Sequence, residues 1–525
     1  MKPSPRFTVP LVVLTSIFLV SHATATGPPM EYVGSLNPFE DALYSAVVVD
    51  TDRHVAYMGA AFTSQGVAVI DIHDRANPVL VNVLQNPPPN DQDNQTSPSD
   101  VDLVGRFLLV SYHPAFGRAA FRGVSVYDIS ADPYHPTHLR DIPVSACGLE
   151  SSQLDPEAES GRPYAYCNAH CLVDPRVFIV NILTGAVEGS FVGPEPFGCP
   201  PFPCAEENAP HEAMVQRHPR SGRVLDYIGY WDSGLRIVDV TDPAHPTEVG
   251  AFDYGPGTPN RNAHGAVVTP SANWVYVGDE LSFDERGGIH LFDASACDGT
   301  VHCTPIQVGF WQAGGSTQAP PDNAFVQFLH FDVHNMFPLG ENGLLVANYG
   351  LGIRLLDVTN KSDPEEISFY LPNNNGGETE GGPPFVAGRR TYSAVRGKDG
   401  LIYASDLNLG FFVVRLNAHT VLPAAAFARG SVAGDEASAV RVTSGRGEPA
   451  VLFSTRKEGR SILTVYDVLG RRVATIDGGT RAAGAQRLAW DARTLGGSRA
   501  ASGVYLARLL TPDGAHTLKL LRLAK

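Results

Sequence analysis

The chain has 525 residues and carries 55 Asp and Glu against 39 Lys and Arg, a formal net charge of -16. That balance argues against a nucleic-acid binder, because phosphate affinity is carried by clustered Lys and Arg. With 18% charged and 43% hydrophobic residues the chain is not disordered as a whole, and its 52 Gly and 41 Pro imply many turns and few long helices.

Lys2 and Arg6 precede an apolar run from Val9 to Val20 and then Ala23-Thr24-Ala25, the pattern of a secretory signal peptide over residues 1–25. No later run reaches the ~18 apolar residues of a spanning helix, so an exported protein without a transmembrane anchor is expected. Glu31-Tyr32-Val33-Gly34-Ser35 has the pattern of an outermost strand, with no inner strands before it.

From there to about residue 420 one design recurs. Its clearest copy is Gly234 to Phe252: an apolar strand, a turn at Asp239, and a more polar strand after Pro246. The β-branched run of Leu235, Ile237 and Val238 has no helical period and reads as a buried strand. A carboxylate at its end can accept hydrogen bonds from the N–H groups of the turn. Further copies start at Gly66, Gly123, Arg176, Gly288, Gly352 and Gly410, with Asp71, Asp128, Asn181, Asp293 and Asp357 at the turn and Arg415 breaking the pattern in the last. Each copy is preceded by two more strand-like segments, giving four strands per unit. Such units bury their faces only by stacking, and the closed stacking is a propeller, here of seven blades over residues 30–420. The seventh unit lacks a fourth strand, which the segment near Glu31 can supply and so close the ring. Pro87 to Ser99 and Asn373 to Pro384 read as loops, where a protein or glycan ligand would be met.

Three histidines hold one repeat position on consecutive blades: His211 in HEAMV, His264 in HGAVV and His334 in HNMFP. The same position falls on Tyr44, Cys147 and Tyr392 elsewhere, with blade two near Ser99-Asp100. First strands line a propeller's channel, so three imidazoles would converge on one ion; zinc or copper suits them, with iron and nickel also compatible. Cys147 would add a soft ligand and favour copper. Glu212, adjacent to His211, should alternate to the other side of its strand. The competing expectation is structural: each His bonding a carbonyl of the next blade. Asp279-Glu280 with Asp284-Glu285 offers calcium ligands or a solvated acidic loop, without EF-hand spacing.

Seven cysteines in an exported chain should mostly pair. Cys297 with Cys303 and Cys199 with Cys204 read as loop staples. Cys167 and Cys171 read as a disulfide, with a metal site including His170 as the alternative. Cys147 is left as the odd thiol.

After a linker over about 421–440 the character changes. Ser461 to Val473 is a hairpin, and Gln486 to Trp490, Gly503 to Leu509 and Leu518 to Leu523 are further strands. Together they make a small β-sandwich over 441–525.

Leu235-Arg236-Ile237-Val238-Asp239 resembles the repeat of the LVIVD family, propeller repeats of bacterial and archaeal surface or secreted proteins. The resemblance implies a binding scaffold and names no reaction. Tyr466 to Arg471, Trp490-Asp491, Ala501 to Tyr505 and the basic end Lys519 to Lys525 resemble the C-terminal sorting domain of type IX secretion, itself similar to the Ig-like domain of flagellar hook-capping proteins. That resemblance implies contact with secretion machinery and delivery to the cell surface or medium. Two functions are therefore expected: an exported binding scaffold, or a metal-dependent enzyme, an oxidoreductase among the candidates, with His211, His264 and His334 as ligands.

Overall fold

The structure, a computed structural model, describes residues 29–420 and 441–522 apart from 89–95, 115–120, 171–173, 195–208, 255–261, 281–287, 314–331, 373–389, 444–449, 467–471 and a few single positions. The expected signal peptide, the linker, the loop at 373–384, Asp284-Glu285 and the Cys199–Cys204 staple lie outside the described residues. The chain divides into two compact units, Met1–Phe427 and Ala428–Lys525.

The first unit is seven four-stranded antiparallel sheets, with no helix among the described residues. The innermost strands of blades one to seven are Val47–Asp50, Thr96–Val104, Ser151–Leu154, Ala213–Arg217, Asn262–Val268, Val333–Leu339 and Thr391–Arg396. Each packs against the innermost strands of both neighbours, and the seventh meets the first, so the ring is closed.

The repeated motif supplies the third strand of each blade. In blade four, Leu235 and Ile237 are wholly buried among Ala263, Val275 and Val277 of blade five, while Val238 is buried on the opposite face against Tyr166 and Ile179 of blade three. A strand covered on both faces needs an unbroken apolar run. Each such side chain contributes about 1.5–3 kcal/mol by leaving water.

Turn chemistry then ends the strand. Asp239 Oδ1 accepts from the N–H of Thr241 at 2.9 Å. Asp71, Asp128, Asn181, Asp293 and Asp357 accept from the N–H two residues on at 2.8 to 3.0 Å. Arg415 departs from the pattern because no fourth strand of its blade follows it in sequence. Its blade takes the fourth strand from the other end of the chain, Glu31–Leu36, which pairs antiparallel with Gly410–Arg415. Arg415 Nε instead donates to Glu31 Oε2 at 2.6 Å.

The glycine of the fourth strand has a steric reason. A Cβ on Gly34 would lie 2.3 Å from the carbonyl oxygen of Arg75 in the turn of blade one, and one on Gly309 would lie 1.9 Å from that of Lys361 in the turn of blade six. The turns of blades one and six are thus seated on the backbone of the preceding blade.

Cys297 and Cys303 form the expected disulfide. The other pairings need correction. Cys167 is a free, buried thiol, so the Cys167–Cys171 bridge does not form, and Cys147 is not the odd cysteine: it is disulfide-bonded, to a cysteine outside the described residues.

The second unit holds a three-stranded sheet (Arg441–Thr443, Ala450–Thr455, Gly484–Ala489) and a four-stranded sheet (Gly459–Tyr466, Arg472–Arg481, Gly503–Thr511, Gly514–Arg522). Val451, Phe453, Leu463, Val465, Leu488 and Trp490 form its core. Trp490 is wholly buried and donates its Nε1–H to the carbonyl of Arg493 at 2.8 Å, and Tyr505 packs edge-on against it with centroids 4.8 Å apart. Tyr505 Oη donates to the carbonyl of Ala501 at 2.8 Å, so both polar tips of this aromatic pair are satisfied.

Candidate metal centre

In four of the blades the inner strand enters through a local irregularity, and the residues at that place meet around the channel. In blades two, five, six and seven the register with the second strand shifts at Pro98/Asp100, Ala263/Gly265, Val333/Met336 and Thr391/Ser393. The added residue lets consecutive side chains leave the alternation of a regular strand. Ser99, His264, His334 and Tyr392 sit at these shifts. His211 occupies the same place in blade four, donating its N–H to the carbonyl of Gly229 at 2.9 Å.

Blade three corrects the reading of Cys147. The equivalent bond there runs from Glu150 N–H to the carbonyl of Asn168 at 2.9 Å, so the ring position belongs to Glu150, three residues further on. Cys147 is in a disulfide and offers no thiolate. In blade one the same bond is made by Ser45 to Gly59 at 2.9 Å, and Tyr44 turns away, donating to the carbonyl of Phe39 at 2.8 Å.

The three histidines do converge. Ring centroids are 4.2 Å apart for His211 and His264 and 4.3 Å for His264 and His334, and His334 meets Tyr392 at 3.8 Å. Two residues from the ends of second strands join them. Glu280 Oε2 lies 3.4 Å from His264 Nε2 and 3.8 Å from His211 Nε2. His170 lies 4.6 Å from His211 between ring centroids, with its Nδ1 3.9 Å from Glu150 Oε2. Trp231 stacks on His211 at 4.5 Å and 14°. Tyr349 Oη donates to Glu280 Oε1 at 2.6 Å and orients that carboxylate.

Glu212 is also drawn in, against the expectation from strand alternation. The far side of its strand is the next blade: Glu212 N–H donates to the carbonyl of His264 at 2.8 Å, and Glu212 Oε2 comes within 3.9 Å of His264 Nδ1. Gly265 makes room, since a Cβ there would stand 3.3 Å from Glu212 Oε2.

Three ligand triads result, each with donor atoms within 4.8 Å of one another: Glu150, His170 and His211; His211, His264 and Glu280; Glu212, His264 and His334. The structural expectation is met in part: the backbone of the next blade reaches both rings, that of His334 at His264 and that of Tyr392 at His334. His264 has no exposure, and neither of its nitrogens has a hydrogen bond of ordinary geometry; His211 Nδ1 and Trp231 Nε1 are likewise buried and unpartnered.

The electrostatics suit a cation. Burial first, then the neighbouring imidazoles, hold His211 and His264 well below the ordinary histidine range, and burial takes His334 down to about 3. These rings are neutral and keep a lone pair. Burial pushes Glu280 up to about 8, and Glu212 is raised well above its usual value by burial and then by the charges of Asp100, Glu150 and Glu280. Each carboxylate lacks a cationic partner, and a bound metal would reverse both shifts.

Two segments match known families. Residues 226–254 match the LVIVD repeat, and residues 441–510 match the FlgD Ig-like domain. No curated protein matches the chain. Among solved structures it is similar to PorZ of Porphyromonas gingivalis, described as an essential bacterial surface component of the type-IX secretion system, at 12% identity and TM-score 0.40 over 92% of this chain and 66% of that one. It is also similar to the WD40 β-propeller domain of Doa1, at 11% and 0.45 over 76% of this chain and 99% of that one, and to the Cps50 (Swd1) propeller of Myceliophteria thermophila, at 13% and 0.45 over 74% and 99%.

The repeat itself held an unused signal for Trp231 and Tyr349, which sequence reasoning missed, and for His170 and Glu280, which it set in other sites. By the register of their strands, Ala169, Tyr230, Asp279 and Asn348 are equivalent, so the residues that follow them, His170, Trp231, Glu280 and Tyr349, form a second row beneath the first.

Proposed function

We propose that this chain is an exported β-propeller that binds a transition-metal ion in its channel, with His211 Nε2, His264 Nε2 and Glu280 as the first ligands. The supporting observation is a wholly buried imidazole whose nitrogens have no hydrogen bond of ordinary geometry, flanked by neutral histidines and by carboxylates without a cation. Imidazole and carboxylate donors suit zinc, copper, iron or nickel. The preference for copper that a cysteine ligand would give is removed with Cys147. Three protein ligands leave a coordination position for water or substrate, which is what a metal-dependent enzyme, including an oxidoreductase, needs.

The test is metal analysis of untagged protein against the variant carrying His211→Ala, His264→Ala and His334→Ala. A stoichiometric ion in the first and none in the second is expected. Equal traces in both would end the proposal and leave the propeller as a scaffold for a protein or glycan.

Export rests on the signal-peptide pattern and on the tail, where the FlgD Ig-like match supports a sorting domain that engages secretion machinery. Removing residues 461–525 is expected to retain the protein in the periplasm of its native host. Unchanged delivery of the truncated chain to the surface would refute this role.

A further inference from the structure

We infer that the channel holds two metal ions that share His264, one on each ring nitrogen; this rests on the metal-binding reading above and adds a count and a bridging residue to it. His264 Nε2 faces Glu280 at 3.4 Å and belongs to the triad with His211. His264 Nδ1 faces Glu212 at 3.9 Å and belongs to the triad with His334. The two triads have His264 in common and share no other residue. A ring that served one ion would leave its second nitrogen buried beside a carboxylate; neither nitrogen has a hydrogen bond of ordinary geometry, the backbone of His334 making only a weaker approach, and a bond left unmade there costs about 1–3 kcal/mol.

Glu212 and Glu280 pair with histidines and with no Lys or Arg, so each triad brings a carboxylate of its own to its ion. The protons balance. Neutral His264 offers one lone pair to the first ion. The second ion takes the place of the ring N–H proton, which passes to solvent, and leaves an imidazolate between the two cations. The third triad, Glu150 and His170 with His211, is more exposed, its Glu150 and His170 side chains being 24% and 26% accessible. It therefore lacks the penalty that argues for occupancy at His264.

The experiment titrates metal-free full-length protein with Cu2+, counting bound copper by elemental analysis and unpaired spins by electron paramagnetic resonance. Two equivalents are expected, with fewer spins than copper atoms because the bridging imidazolate couples them. Glu212→Gln should bind one equivalent with a full spin count, and Glu280→Gln should do the same at the other position. One equivalent in the unmodified protein, or two with a full spin count, would overturn the shared bridge and leave the single-ion centre standing. No bound copper or other transition metal would remove both. The unmodified protein decides the matter even if either variant fails to fold.

Discussion

Asp226 offers a quantitative test of how the blades are packed. It lies in the second strand of blade four, Val224–Tyr230, where every residue is buried, and neither carboxylate oxygen has a hydrogen-bond partner. Burial pushes it from 3.8 up to about 7. A carboxyl whose folded value is raised is ionised first in the unfolded chain, so stability is fully present below about pH 4 and is lost as pH climbs to about 7. At about 1.4 kcal/mol per unit the whole loss is about 4 kcal/mol. Asp226→Asn keeps the shape and abolishes the titration. Its advantage over the unmodified protein should therefore widen by about 3 kcal/mol between pH 5 and pH 8. Urea unfolding at the two values, followed by tryptophan fluorescence, measures this. A stability gap that stays constant with pH would mean that Asp226 is solvated or bonded in the folded state, and the reasoning would fail.

Tyr349→Phe removes the hydroxyl that holds Glu280, and metal affinity in a chelator competition should fall about 10–100-fold, with the metal-free protein losing the about 1–3 kcal/mol of one buried hydrogen bond. Gly229→Ala would place a Cβ 2.5 Å from the carbonyl oxygen of His264. The backbone must shift, so a loss of about 1–3 kcal/mol in denaturant titration and weaker metal binding are expected together. Burial pushes the Cys167 thiol up to about 12. Peptide mapping should find it alkylated at pH 8 only in denaturant.

The blade count could be read from the sequence because one chemical requirement repeats. A strand covered on two faces needs an apolar run, and its reversal needs a short acceptor such as Asp239. Even the exception was informative, since Arg415 marks the one third strand whose outer neighbour comes from the other end of the ring. The metal centre was legible only in part. His211, His264 and His334 stand in similar words, HEAMV, HGAVV and HNMFP, but Glu150 does not. The segment 144–149 separates the outer strand of blade two from the inner strand of blade three, and nothing in it fixes the register. The shifts at Ala263/Gly265 and Val333/Met336 are invisible to a rule of strict alternation; that rule put Glu212 on the far side of its strand, and it could not show that this side meets His264 of the next blade. Glu280 and His170 were each read as ligands of another site, Glu280 in a calcium loop and His170 between Cys167 and Cys171, because nothing in their own segments points to the channel histidines.

The pairing of Glu31–Leu36 with Gly410–Arg415 sets an order of events for the growing chain. Glu31–Leu36 has no mate until Gly410–Arg415 has been made, so during synthesis it must stay unclasped. The last blade can lock only once both strands are present. The channel histidines then come to rest in a ring whose fastening joins its earliest strand to its latest.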